Sequence, residues 1–252
     1  MKQDVSVFML DVPYVVSDEM KSAAHACVRQ FLNLKEIATS ISLSTLLGRL
    51  LMAKAMKTHS PTWNFKKTSE GSYGLFDEKN NLLSYASLSH CDELVTLAIS
   101  SSPLGVDVDK IENTFTNDLN AQRHFSDWEQ ADWEKLPDAL KPLRFQQLWC
   151  LKEAFVKALG QDQMENMTRG CFLIADDNLN VRFHYDDRDL NHKPVDENAW
   201  QFKLGYPTPD HVVALAVQTP QKMKLESQRW SLENFLQVLN SFTNNEESLW
   251  IA

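Results

Sequence analysis

The chain has 252 residues, of which 43% are apolar and 23% charged, and carries a formal net charge of −9. That length suits one large domain or two small ones with a substantial core. The acidity argues against general nucleic-acid binding, which needs basic surface against phosphates, and no apolar run approaches the roughly 20 residues of a membrane span.

The N-terminal apolar stretch is broken by Asp4 and Asp11, unlike a secretion signal. From Ser6 to Val12 it alternates as a strand. Ser17–Leu34 and Ser42–Lys57 read as helices, the second with Leu43, Leu46, Leu47 and Leu50 on one apolar stripe. Thr58–Asn81 is polar and broken by Pro61, Gly71 and Gly74, which implies turns and short strands. Leu94–Ser100 and residues 105–109 read as strands, 117–135 as a helical stretch, and Trp149–Leu159 as a helix stopped by Gly160. Strands follow near 181–185, 200–206 and 211–218, with Asp186–Asn198 as a loop. Leu232, Phe235, Leu236, Leu239 and Phe242 then mark an amphipathic C-terminal helix, with Asn244–Glu247 frayed. Cys27, Cys91, Cys150 and Cys171 are scattered without a Cys-x-x-Cys pair, which disfavours structural zinc or a disulfide framework and fits a reducing cytoplasm.

Two internal echoes suggest a degenerate duplication. Ser44–Ala55 is similar to Leu148–Ala158, and Leu94–Ser100 to Val212–Gln218. The expected organisation is therefore an α+β half over 1–102, a second over 103–220, and a C-terminal helical appendage over 221–252.

Two segments carry chemistry. In Gly105-Val106-Asp107-Val108-Asp109, a strand sends Val106 and Val108 into a core and Asp107 and Asp109 together to the other face. In Trp149-Cys150-Leu151-Lys152-Glu153-Ala154-Phe155-Val156-Lys157, helical spacing aligns Trp149, Glu153 and Lys157. If strand and helix meet, three carboxylates and one or two ammonium groups converge, a site for a divalent cation and a phosphate. The plainer alternative is a solvated acidic edge and an ordinary Glu-to-Lys pair, worth a few tenths of a kcal/mol.

Gly-Val-Asp-Val-Asp followed by Trp-x-x-Lys-Glu-Ala-x-x-Lys-x-x-Gly resembles the signature of 4′-phosphopantetheinyl transferases, specifically the larger surfactin-synthetase-activating type, over about residues 1 to 220. The resemblance implies two α+β halves related by a pseudo-twofold axis, with the site at their junction. It also implies Mg²⁺ held by Asp107, Asp109 and Glu153, and coenzyme A as co-substrate. Lys152 and Lys157 would face the coenzyme A diphosphate, Ser89 and His90 would bind its phosphates, and the acceptor would be a serine of an apo acyl or peptidyl carrier protein. Phe125-Ser126-Asp127-Trp128-Glu129 is similar to the family's Phe-Ser-x-x-Glu and offers Glu129 as the general base, with Glu153 or a metal-bound water as alternatives. The alternative for Glu129 is a charge complementing a helix N-terminus.

The chain departs from the family pattern at Asp109, where the family often has Glu, and in three further places. Cys91 stands where a second Ser follows the Ser-His pair, Tyr73-Gly74-Leu75-Phe76 replaces a Gly-Lys-Pro, and Ser44-Thr45 stands where relatives place an Arg. Arg49, or Arg29, is then the candidate for the nucleotide end. Carrier proteins are usually acidic, so docking on an acidic enzyme needs a local basic or apolar patch. The expected protein is a cytoplasmic monomer that engages neither nucleic acid nor membrane. The competing reading is a non-catalytic module that binds carrier protein or coenzyme A, and a weaker one is a metal-dependent phosphoesterase.

Overall fold

The computed structural model describes residues 3–31, 42–56, 63–111, 123–160, 167–186 and 195–244. Eleven strands are described: β1 Gln3–Asp11, β2 Trp63–Lys67, β3 Tyr73–Asp77, β4 Leu82–Cys91, β5 Leu94–Ser100, β6 Leu104–Lys110, β7 Gly170–Ile174, β8 Val181–Tyr185, β9 Trp200–Thr208, β10 His211–Gln218 and β11 Met223–Ser231. The α-helices among the described residues are α1 Asp18–Phe31, α2 Leu43–Ala55, α3 Asp127–Glu134, α4 Lys141–Leu159 and α5 Leu232–Asn244. The fold is α+β. None of these helices is long and apolar enough to cross a membrane.

Strand periodicity builds the layers. β1, β5, β6 and β10 alternate side chains between two faces; β1, β5 and β10 send apolar residues both ways, and β6 sends them only one way. Val5 and Val7 of β1, Leu94 and Ala98 of β5, Val106 and Val108 of β6, and Val213, Leu215 and Val217 of β10 meet in one dry cluster. Fully burying each such side chain stabilises the fold by about 1.5–3 kcal/mol. That cluster joins a six-stranded sheet, ordered β11-β1-β5-β4-β3-β2, to a three-stranded one, ordered β6-β10-β9. Val95 and Leu97 face the opposite way, into a core completed by α1, α2 and α5. Val212, Ala214 and Ala216 face α4 and the β7–β8 hairpin, in a core centred on Phe155 and Phe172.

The echoed segments fall on corresponding kinds of element, α2 with β5 and α4 with β10, each helix lying on its sheet. The C-terminal segment differs from a helical appendage. Met223–Ser231 forms β11, parallel to β1 along its whole length, and Leu232, Phe235, Leu236 and Leu239 of α5 enter the core that α1 and α2 form on the six-stranded sheet. Its exposed Lys224, Glu226 and Arg229 conceal the strand in the sequence, as charged side chains on an edge strand do.

β4 is longer than a pre-strand turn and contains Ser89 and His90, and α4 starts two turns before Trp149. Pro142 sits in its first turn, where a missing N–H costs nothing. The buried Arg144, Gln146 and Gln147 break the apolar periodicity there. Residues 117–122 of the expected helical stretch, most of the 186–198 loop and the expected fraying at 245–247 lie outside the described residues, as do 32–34 and 57 at the ends of the first two helices.

The far end of α4 abuts the β2–β3 turn of the six-stranded sheet. Gly160 caps α4 in the left-handed conformation at φ 70°, and Gly71 stands at φ 99°. A Cβ on Gly160 would lie 2.0 Å from the Ser72 nitrogen, and one on Gly71 would lie 2.1 Å from the Gly160 carbonyl oxygen. Only glycines permit this contact.

Candidate functional site

β6 is the edge of the three-stranded sheet, so its outer backbone groups need partners from elsewhere. β4 and α4 supply them. The Val106 N–H donates to Ser87 Oγ at 3.0 Å, and the Val106 carbonyl accepts from Lys157 Nζ at 3.3 Å. α4 crosses β6 closely because position 105 has no side chain: a Cβ there would stand 1.9 Å from the Ala154 carbonyl oxygen. The close crossing brings Glu153 and Lys157 down onto the face from which Asp107 and Asp109 project.

Asp107, Asp109 and Glu153 line one cleft of about 280 Å³ between β4, β6 and α4, bounded also by Ser89, His90 and Trp149 among others. Asp107 is buried and held at one oxygen, Oδ1, by Lys157 Nζ at 2.6 Å and Ser89 Oγ at 2.7 Å. Asp109 accepts from Gln146 Nε2 at 2.8 Å and from the Lys110 N–H at 2.8 Å. Glu153 is half-buried. Burial, then the negative charge of Asp107, pushes its carboxyl above the usual range, Asp109 adds to the shift, and Lys157 opposes it.

Among the described residues no group of three His, Cys, Asp or Glu side chains is drawn to metal-ligand spacing. The three acidic residues share the cleft without closing on one point, and Lys157 stands at Asp107 as a built-in cation. The donor chemistry nevertheless fits a hard divalent ion. Mg²⁺ keeps several waters and takes one or two carboxylates plus phosphate oxygens, so a closed protein cage is not required. A cation would also relieve the mutual repulsion that raises the proton affinity of Glu153.

Of the residues singled out in the sequence, Ser89, His90, Asp107, Asp109 and Glu153 meet in this cleft, with Lys157 behind Asp107. Three do not. Arg49 is exposed on α2 and is not among the residues lining the cleft.

Glu129 and Lys152 form a buried pair elsewhere, 2.8 Å apart, both with no exposed side-chain surface. Glu129 is the third residue of a capping box. Its Oε2 accepts from the Ser126 N–H at 2.7 Å, and its Oε1 from the Phe172 N–H at 2.8 Å. Lys152 Nζ also donates to the carbonyls of Met167 and Gly170, each at 2.6 Å. All three ammonium protons are therefore engaged. The assignments of Glu129 as general base and Lys152 as a diphosphate ligand are corrected accordingly: the pair ties α3 and α4 to β7.

Sequence reasoning missed Gln146, which lies one turn before the motif on the stripe Gln146, Cys150, Glu153 and Lys157. A step of seven residues, two helical turns, back from Glu153 finds it. It also missed Lys110, which lines the cleft and whose ammonium is 2.6 Å from Glu93.

Residues 103–216, the half that holds β6 and α4, match the 4′-phosphopantetheinyl transferase superfamily. The chain is also similar to the 4′-phosphopantetheinyl transferase gsp of Aneurinibacillus migulanus, at 27% identity over 150 residues. That match covers 59% of this chain and 59% of the relative, so the chain spans rather more than half the length of the curated relative it matches. The similarity to the 4′-phosphopantetheinyl transferase superfamily thus rests on residues 103–216, the segment that carries β6 and α4.

Proposed function

We propose that the chain transfers the 4′-phosphopantetheine group of coenzyme A to a serine hydroxyl of an apo acyl or peptidyl carrier protein in the cytoplasm. The observation that carries this reading is the convergence of Asp107, Asp109 and Glu153 in one cleft with Ser89 and His90. Asp107, Asp109 and Glu153 would hold Mg²⁺, which when bound neutralises the diphosphate and eases cleavage of its P–O bond.

The chain's own residues account for the rest. The serine oxygen attacks the pantetheine-side phosphorus, its bond to the departing phosphate breaks, and adenosine 3′,5′-bisphosphate leaves. Glu153, which lines the cleft where Glu129 does not, takes the serine proton in place of Glu129. His90, exposed at the rim, and Lys157, beside Asp107, balance charge on the phosphates. Segments 1–102 and 103–220 would be the two repeats of one α+β unit in a monomer, with the cleft at their seam; the pairing of α2 with β5 and of α4 with β10 supports this.

Incubation with coenzyme A, Mg²⁺ and a panel of apo carrier proteins tests the reading. The expected result is a mass gain of one phosphopantetheine on at least one carrier, abolished by chelation. Binding of coenzyme A or carrier with no mass gain would favour a non-catalytic module, and hydrolysis of coenzyme A without an acceptor would favour a phosphoesterase.

A further inference from the structure

We propose that Gln146 is a positioning residue that sets the Asp109 carboxylate for cation binding. The inference rests on the metal reading above and assigns a role to a side chain that no motif includes.

Gln146, Cys150, Glu153 and Lys157 follow each other at helical steps of four, three and four, so they form one stripe of α4 facing β6. Eleven residues separate its ends, about 16 Å along the axis. Each end grips one aspartate of the strand: Lys157 holds Asp107 at 2.6 Å, and Gln146 Nε2 holds Asp109 Oδ2 at 2.8 Å. Glu153 lies between the two grips.

The grips differ in kind. An ammonium cancels part of the Asp107 charge, whereas the amide of Gln146 orients Asp109 without adding positive charge. The backbone N–H of Lys110 fixes the other oxygen of Asp109 at 2.8 Å. Two such bonds define the plane of the carboxylate. A carboxylate offers roughly four lone-pair directions, so one that accepts hydrogen bonds can also serve a metal ion or that ion's water.

Gln146 is 2% exposed, and a buried amide left without a partner is costly. It also donates to Cys150 Sγ at 4.0 Å, a weak acceptor. Asp109 is therefore what makes a glutamine tolerable there. The pairing also spans strand to helix with a short acidic side chain met by a long amide. Hydrogen bonds to metal-binding carboxylates typically govern affinity by 10–100-fold.

The test is Mn²⁺ binding to the full chain without coenzyme A, followed by electron paramagnetic resonance, in a double-mutant cycle. Gln146→Met keeps the volume and removes the amide; Gln146→Leu serves if the methionine variant does not fold, as judged by circular dichroism. The dissociation constant for Mn²⁺ is expected to rise about 10–100-fold in the Asp109-containing protein. In an Asp109→Asn background, the same substitution is expected to change it less than about twofold, because additivity fails for residues that act through one another. Equal losses in both backgrounds, or no loss in either, would overturn the role of Gln146 while leaving the metal site standing. Failure of the unsubstituted protein to bind Mn²⁺ would overturn the metal reading and this proposal with it.

Discussion

Glu153→Gln is expected to reduce transfer by at least about 100-fold while making the cation-free protein more resistant to heat. The two effects share one cause. Glu153 is half-buried beside Asp107 and Asp109, and its proton affinity is raised first by burial and then by Asp107. A carboxyl whose folded pKa exceeds its unfolded value contributes its stability at low pH and loses it as pH rises through the folded pKa. Above the ordinary glutamate range, therefore, the native site carries a penalty that glutamine does not. Relief of such a penalty is worth on the order of 1 kcal/mol. The gain should vanish at acid pH, where Glu153 is protonated in both states. Thermal unfolding across pH, with and without Mg²⁺, measures this. Added Mg²⁺ should stabilise the native protein by mass action and the variant much less. A variant that keeps its transfer activity removes Glu153 from the site.

Lys152→Met is expected to destabilise the whole fold by about 3–5 kcal/mol, the usual effect of stranding one member of a buried ion pair. Glu129 would keep its two backbone donors but lose its cation, and the carbonyls of Met167 and Gly170 would lose their donor. Pairing the change with Glu129→Gln should recover part of the loss, since the buried charge then goes too. Equilibrium denaturation of the single and double variants gives the coupling directly. A Lys152→Met protein of native stability with a specific defect in coenzyme A binding would restore Lys152 to the cleft and contradict its structural role.

How far the sequence reveals this protein depends on the kind of signal. The alternation of Val106, Asp107, Val108 and Asp109 shows which side chains enter the core and which leave it, because a strand has only two faces. The three- and four-residue spacings from Trp149 to Lys157 likewise identify a common stripe. Both depend on local geometry alone, and the structure agrees with both.

Lys152 and Glu129 mislead for the same local reason. Each neighbours a site residue or sits in a suggestive motif, but a single step along a helix rotates a side chain by about 100°. Lys152 thus turns away from Glu153, toward a tertiary partner that no local pattern announces. Glu129 is explained by Ser126 three residues earlier, since Ser-x-x-Glu is a capping box before it is anything else. β11 is illegible because an edge strand with one solvated face needs few apolar residues. Its pairing with β1 is a contact between the two ends of the chain.

The most direct test of the central claim is the anomalous scattering of Mn²⁺ in crystals grown with coenzyme A. The account predicts one peak in the cleft within coordination reach of at least two of Asp107, Asp109 and Glu153, with the coenzyme A diphosphate against it. A diphosphate bound on another surface, or a metal peak remote from those carboxylates, would contradict it.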